Sequence, residues 1–198
     1  MFSKCCRPLT APRFHAQPDA GFSLLELMLT IGLMGLLSGM AIVQIGAARQ
    51  SILGDSGMRV VLAQMNMARE LSISQRRTMQ LQFGAPNQLQ ILRNEVVGGP
   101  TLVSAAVFEG RVEYMLVPGI PDTPDAFGRA QPIDFGAAAA IIFNTDGTLV
   151  DERGRPLNGT IFLAIRGGSD RSVRAITVLG ATGRIRAYRW NGAGWVRG

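Results

Sequence analysis

Residues 21–48 read GFSLLELMLTIGLMGLLSGMAIVQIGAA. From Phe22 to Ala48 a single residue, Glu26, carries charge. A helix of about 27 residues, rising about 1.5 Å each, is long enough to cross a hydrocarbon core of about 30 Å. The stretch therefore predicts a membrane span over residues 22–48. Lys4, Arg7 and Arg13 against Asp19 precede it, and Arg49 and Asp55 are the first charges after it. The basic excess lies on the N-terminal side, which predicts a cytoplasmic N-terminus and a chain continuing outside the cytoplasm.

A secretory signal peptide places its small-residue cleavage site after the apolar run, whereas here the basic segment ends at Gly21, just before it. Cleavage between Gly21 and Phe22 is the expectation, with residues 1–21 as a leader. That leader holds Cys5, Cys6 and His15, the only cysteines and the only histidine in the sequence. The mature chain then lacks the residues for cysteine or serine–histidine nucleophilic chemistry and for Cys/His zinc sites. No enzyme activity, cofactor or metal is expected, and no disulfide is available to hold the extracytoplasmic part together.

The junction Gly21-Phe22-Ser23-Leu24-Leu25-Glu26-Leu27 resembles the signal of type IV prepilins and type II secretion pseudopilins. The resemblance implies that a prepilin peptidase cuts after Gly21 and N-methylates Phe22, so that Glu26 becomes the fifth mature residue. It also implies assembly with other pilins or pseudopilins in a filament. Glu26 has a reading of its own, because a carboxylate near the start of an apolar span needs a partner there. In the resemblance that partner is the α-amine of Phe22 on a neighbouring subunit. The alternative is a carboxylate in the lipid headgroup layer, favoured by the helix N-terminus. Gly35 and Gly39 form a G-x-x-x-G pair that lets helices approach, though glycine is also simply common in such spans.

No proline occurs between Pro18 and Pro86, so a helix can continue past the span. Met58, Val61, Leu62, Met65, Ala68 and Leu71 recur at helical spacing and predict an amphipathic continuation over 49–77, with Gly54 and Gly57 loosening it. The period then changes to two. Met79, Leu81 and Phe83 lead through Ala85-Pro86-Asn87 to Leu89 and Ile91, a hairpin. Residues 94–135 carry Pro100, Pro118, Pro121, Pro124 and Pro132 and read mostly as loop, with 105–117 strand-like. Strands are expected over 141–143, 148–150, 160–166, 173–179 and 184–190, separated by glycine turns. The fold class is α+β, a long transmembrane and amphipathic N-terminal helix packed on an antiparallel β-sheet head spanning 78–198. Met65–Phe83, Ile141–Gly147 and Gly183-Arg184-Ile185-Arg186 resemble the GspH/FimT branch of minor pilins and pseudopilins.

The chain has 20 Lys and Arg against 14 Asp and Glu; without the leader's three bases and one acid, 17 and 13 remain. Arg166, Arg171, Arg174, Arg184, Arg186, Arg189 and Arg197 crowd the last third, and Arg184 and Arg186 share one face of a strand. In FimT-like pilins a G-R-x-R element is associated with DNA, which makes DNA uptake the alternative to a structural subunit. Paired arginines on an outer strand also serve as a solvated edge. Asp146, Asp151 and Glu152 lack the alternating carboxylates of a calcium loop and read as a turn. Trp190 and Trp195 read either as an exposed contact surface or as core. The expected function is a subunit of a type II secretion pseudopilus or type IV pilus in the inner membrane. Its expected partners are the prepilin peptidase, other pilins and membrane lipid. A single-span protein that keeps its leader as a signal anchor is the remaining alternative.

Overall fold

With no proline to interrupt it, the chain forms one helix, α1, from Leu24 to Gln75. The computed structural model describes residues 23–198, and the side chains of residues 41–48 lie outside the described residues. The helix ends where Arg76 takes a left-handed φ of 51°, a conformation that closes many helices. The chain divides into two compact units, one up to Ile42 and one from Val43 onward. Among the described residues no helix is long and apolar enough to cross a membrane. The expected span over 22–48 is described with side chains only from Ser23 to Met40.

In the second unit α1 buries Met58, Val61, Met65 and Ala68, the expected stripe, with Leu62 and Leu71 half-buried beside it. Two antiparallel sheets receive this stripe in one core. The first has the order β3 (Thr101–Val107), β2 (Gln88–Arg93), β1 (Met79–Gly84), β6 (Ile141–Phe143), β7 (Leu149–Val150). The second has the order β11 (Trp195–Arg197), β10 (Arg184–Trp190), β9 (Arg174–Leu179), β8 (Gly159–Ile165), β4 (Val112–Tyr114). A two-residue strand, β5 (Ile133–Asp134), also pairs with β8. The single sheet anticipated from sequence is thus two, because β1 pairs with the distant β6 as well as with its hairpin partner β2.

Gly54 and Gly57 do not loosen the helix, which runs unbroken through both. They let it approach the second sheet: a Cβ on Gly54 would stand 2.6 Å from the Ser172 carbonyl oxygen, and one on Gly57 2.7 Å from Val112. Such contacts are too short to be made without displacement, so glycine sets the helix-to-sheet distance.

Every residue of β8 is buried, which requires both faces of the second sheet to be covered. Ile161, Leu163 and Ile165 meet α1. Phe162 and Ala164 meet the opposite layer, made by Leu116, Met115, Val117 and Ile120. The proline-punctuated segment is therefore a cover over the outer face of the sheet. Its strand-like part was expected over 105–117. That stretch holds the end of β3, which starts at Thr101 and stops at Val107, and the whole of β4, with a turn between them in which Gly110 and Arg111 take φ of 68° and 64°.

Candidate assembly helix and arginine face

In the first unit the described part of α1 is apolar on all sides and exposed on all sides. Leu25 is 76% exposed, Met34 68%, and the leucines, methionines and isoleucine between Leu24 and Met40 are similarly open. A helix hydrophobic all round is stable only when something else covers it. Glu26 lies in its first turn. Ser23-x-x-Glu26 has capping-box spacing, yet among the described residues the Glu26 carboxylate has neither a hydrogen bond nor an ion pair. Gly32, Gly35 and Gly39 have nothing within 4 Å of where a Cβ would be, so they leave small-residue notches on an open surface. Gly21 and Phe22, the expected cleavage and methylation site, lie outside the described residues.

The arginines of the last third separate into distinct environments. Arg184 and Arg186 do share a face of β10, as strand alternation predicts, and Arg184 is exposed. Arg186 is not free. Its guanidinium pairs with Asp125, a residue of the proline-rich cover, and the same carboxylate accepts hydrogen bonds from Thr177 Oγ1 at 2.5 Å and Tyr188 Oη at 2.9 Å. Thr177 lies opposite Arg186 in the β9–β10 register, so the sheet presents these donors to one point. Burial pushes the Asp125 carboxyl up, but the hydrogen bonds from Thr177 and Tyr188 and the charge of Arg186 more than offset it, holding the carboxyl below its ordinary range. The continuous pair of free arginines expected for a phosphate backbone is reduced to Arg184.

Arg174 is also removed from any ligand surface. Its side chain is 1% exposed and faces α1, where Nε meets Asp55 Oδ1 at 2.7 Å. One terminal nitrogen donates to the Ser51 carbonyl and hydroxyl, both at 3.0 Å, and the other to the Arg171 and Val173 carbonyls. All its donors are placed within one buried fork. Arg166 pairs with Glu113 at 2.6 Å and Arg189 approaches Asp55 at 3.4 Å.

The three stretches used for the head resemblance converge in space. Arg69 on α1 donates to the carbonyls of Gly147 and Thr182, and a Cβ on Gly183, φ 61°, would collide with the Gly147 carbonyl oxygen. The glycine of the Gly183–Arg186 element thus holds two turns together beneath Arg69.

The family model described as a prokaryotic N-terminal methylation motif matches residues 17–42. This match supports a type IV pilin-like prepilin N-terminus. Such a motif is a prepilin peptidase substrate signal, pilins assemble with other pilins, and the motif implies anchoring in a membrane. No curated protein and no solved structure matches the chain.

In the second unit, the remaining candidates resolve as architecture. Asp146 accepts from the Thr148 amide and hydroxyl, closing the turn before β7, and Asp151 accepts from the Arg153 and Arg155 amides and the Arg155 side chain. Among the described residues no acidic, His or Cys group is arranged to hold a metal. Trp190 is buried and meets Trp195 edge-on at 5.4 Å, while Trp195 Nε1 donates to the Pro121 carbonyl. Both close the cover onto the sheet. Asp125, Asp55 and Ser51 were not anticipated, since their partners lie far away in sequence and nothing in their local pattern marks them.

Proposed function

We propose that the protein is a minor pilin or pseudopilin of the GspH/FimT kind. In this reading the leader is cut at Gly21, Phe22 is N-methylated, and residues 22–48 anchor the chain in the inner membrane with the N-terminus cytoplasmic and the head outside. From there the subunit enters a type II secretion pseudopilus or type IV pilus. The observation that carries the reading is an all-round apolar, exposed helix, carrying one carboxylate, within a matched N-terminal methylation motif. Lipid covers such a surface before assembly and neighbouring helices cover it afterwards. Glu26 then meets the α-amine of Phe22 on the next subunit. No lysine follows Lys4 in the sequence, so once the leader is removed the methylated α-amine is the chain's only amino group.

DNA uptake is not adopted as the function, because Arg186 and Arg174 are already committed to Asp125 and Asp55. The test of the assembly role is Glu26→Leu in full-length protein. Recovery in sheared filaments is expected to fall about tenfold or more, with cleavage at Gly21 unchanged, since an unpaired amine is left in an apolar layer. Undiminished recovery would remove Glu26 from assembly.

A further inference from the structure

Residue 48 closes the segment proposed as the membrane span, so whatever packs beside the next turns of α1 lies beside the membrane surface. At about 1.5 Å per residue, Gln50 stands about 3 Å and Gly54 about 9 Å past that end. The head-group layer on each side of a bilayer is about 5–8 Å deep. Three connections bring distant segments to this level. The Ser169 amide donates to Gln50 Oε1 at 2.9 Å, Gly110 lies against Leu53, and the Ser172 carbonyl lies against Gly54. The turns at 109–111 and 166–172 therefore flank the first turns of the helix beyond residue 48.

Arg49, Arg111, Arg166 and Arg171 are all exposed at this level. Arg166 is paired with Glu113, whereas Arg49, Arg111 and Arg171 have no ion pair among the described residues. Arg111 holds a φ of 64°, a left-handed conformation that is costly for a long side chain, and its carbonyl accepts from the Arg166 amide at 3.1 Å, which keeps the two arginines together. Glu109 and Asp170 sit on the same turns, so the ring sets four guanidinium groups against three carboxylates. That near-balance leaves little general attraction to negative charge. What the ring offers is the planar guanidinium fork, which donates two parallel hydrogen bonds to one phosphate. Arg111, Arg166 and Arg171 follow the span by more than about 60 residues, so they reach the membrane only once the head has folded and do not oppose the orientation set by the leader's charges.

We propose that this ring binds phospholipid, the phosphodiester groups of the outward-facing leaflet being taken by Arg49, Arg111 and Arg171. This rests on the reading of residues 22–48 as a membrane span. The arginine stems lie along the base of the head while their charged ends stay in the polar layer. The contact fixes the depth at which the subunit is held in the membrane before it enters the filament.

The test uses the processed chain, residues 22–198, in detergent with phosphatidylglycerol added, the bound lipid being counted by native mass spectrometry. Wild type is expected to retain the lipid, and Arg49→Gln/Arg111→Gln/Arg171→Gln to weaken retention roughly fivefold per arginine. None of the three forms an ion pair within the described residues, so this variant is expected to melt like the wild type. Arg76→Gln/Arg153→Gln/Arg184→Gln removes the same charge from exposed positions elsewhere and is expected to retain lipid as the wild type does. The processed chain has no cysteine, so Ser169→Cys provides one site for a spin label. In phosphatidylglycerol vesicles its accessibility to oxygen and to a nickel chelate is expected to place it at head-group depth, and a label on Ser74→Cys in water. Equal retention by the ring variant and the wild type, equal loss from both triple variants, displacement of the lipid by inorganic phosphate at the same concentration, or a Ser169→Cys label in bulk water on vesicle-bound protein would each overturn the proposal. Wild-type protein that does not enter vesicles, yet loses phosphatidylglycerol when the ring arginines are replaced, would contradict the span and leave the arginine–phosphate contact standing.

Discussion

Arg174 and Asp125 show how single residues hold this head together. Arg174 joins β9 to α1 through Asp55 and Ser51, and Arg174→Ala would leave a partly buried carboxylate without its main counter-charge. A loss of about 3–5 kcal/mol is expected in denaturant unfolding of the full-length protein. Arg189→Ala, which touches the same carboxylate from an exposed position, is expected to cost less than about 1 kcal/mol. Asp125 makes a pH prediction. Its folded-state carboxyl titrates below the ordinary value of 3.8, so its stabilisation is complete above that value and is lost as pH falls below it through the lowered folded value. The Asp125→Asn variant is expected to show a shallower fall in melting temperature than wild type over that acidic window. Equal slopes would remove Asp125 as the latch of the cover.

At the scale of elements, glycines on one helix have opposite consequences. Gly54→Ala drives a Cβ into the Ser172 carbonyl and is expected to destabilise the head by about 1–3 kcal/mol. Gly35→Ala meets open space and is expected to leave the melting temperature unchanged while reducing filament recovery. A melting series on the two variants separates glycine needed inside the chain from glycine needed between chains. The helix and most strands were legible because each carries its own period: Met58, Val61, Met65 and Ala68 repeat at helical spacing, and Met79, Leu81 and Phe83 alternate. The partition into two sheets was not legible, because it depends on β1 finding β6 across the whole 94–140 excursion. The cover was missed for a related reason. Prolines announce irregular backbone, but Ile120 and Asp125 are useful only against a sheet that the local sequence does not contain. Arg186 was placed on the right face and given the wrong surroundings, since alternation fixes a side chain's direction and says nothing of what lies over it.

For the whole molecule, the proposed function rests on the N-terminal helix within the methylation motif, and the second unit is a double-sheet body. The N-terminal methylation motif was the most legible feature of the sequence, because such a signal is read linearly along the chain. The central claim is that the chain is processed as a prepilin. Mass spectrometry of the protein extracted from membranes of cells with an active prepilin peptidase tests it most directly. The account predicts a chain that begins at Phe22, carries one added methyl group on its α-amine, and lacks residues 1–21. A chain still beginning at Met1, with Cys5, Cys6 and His15 present, would contradict it.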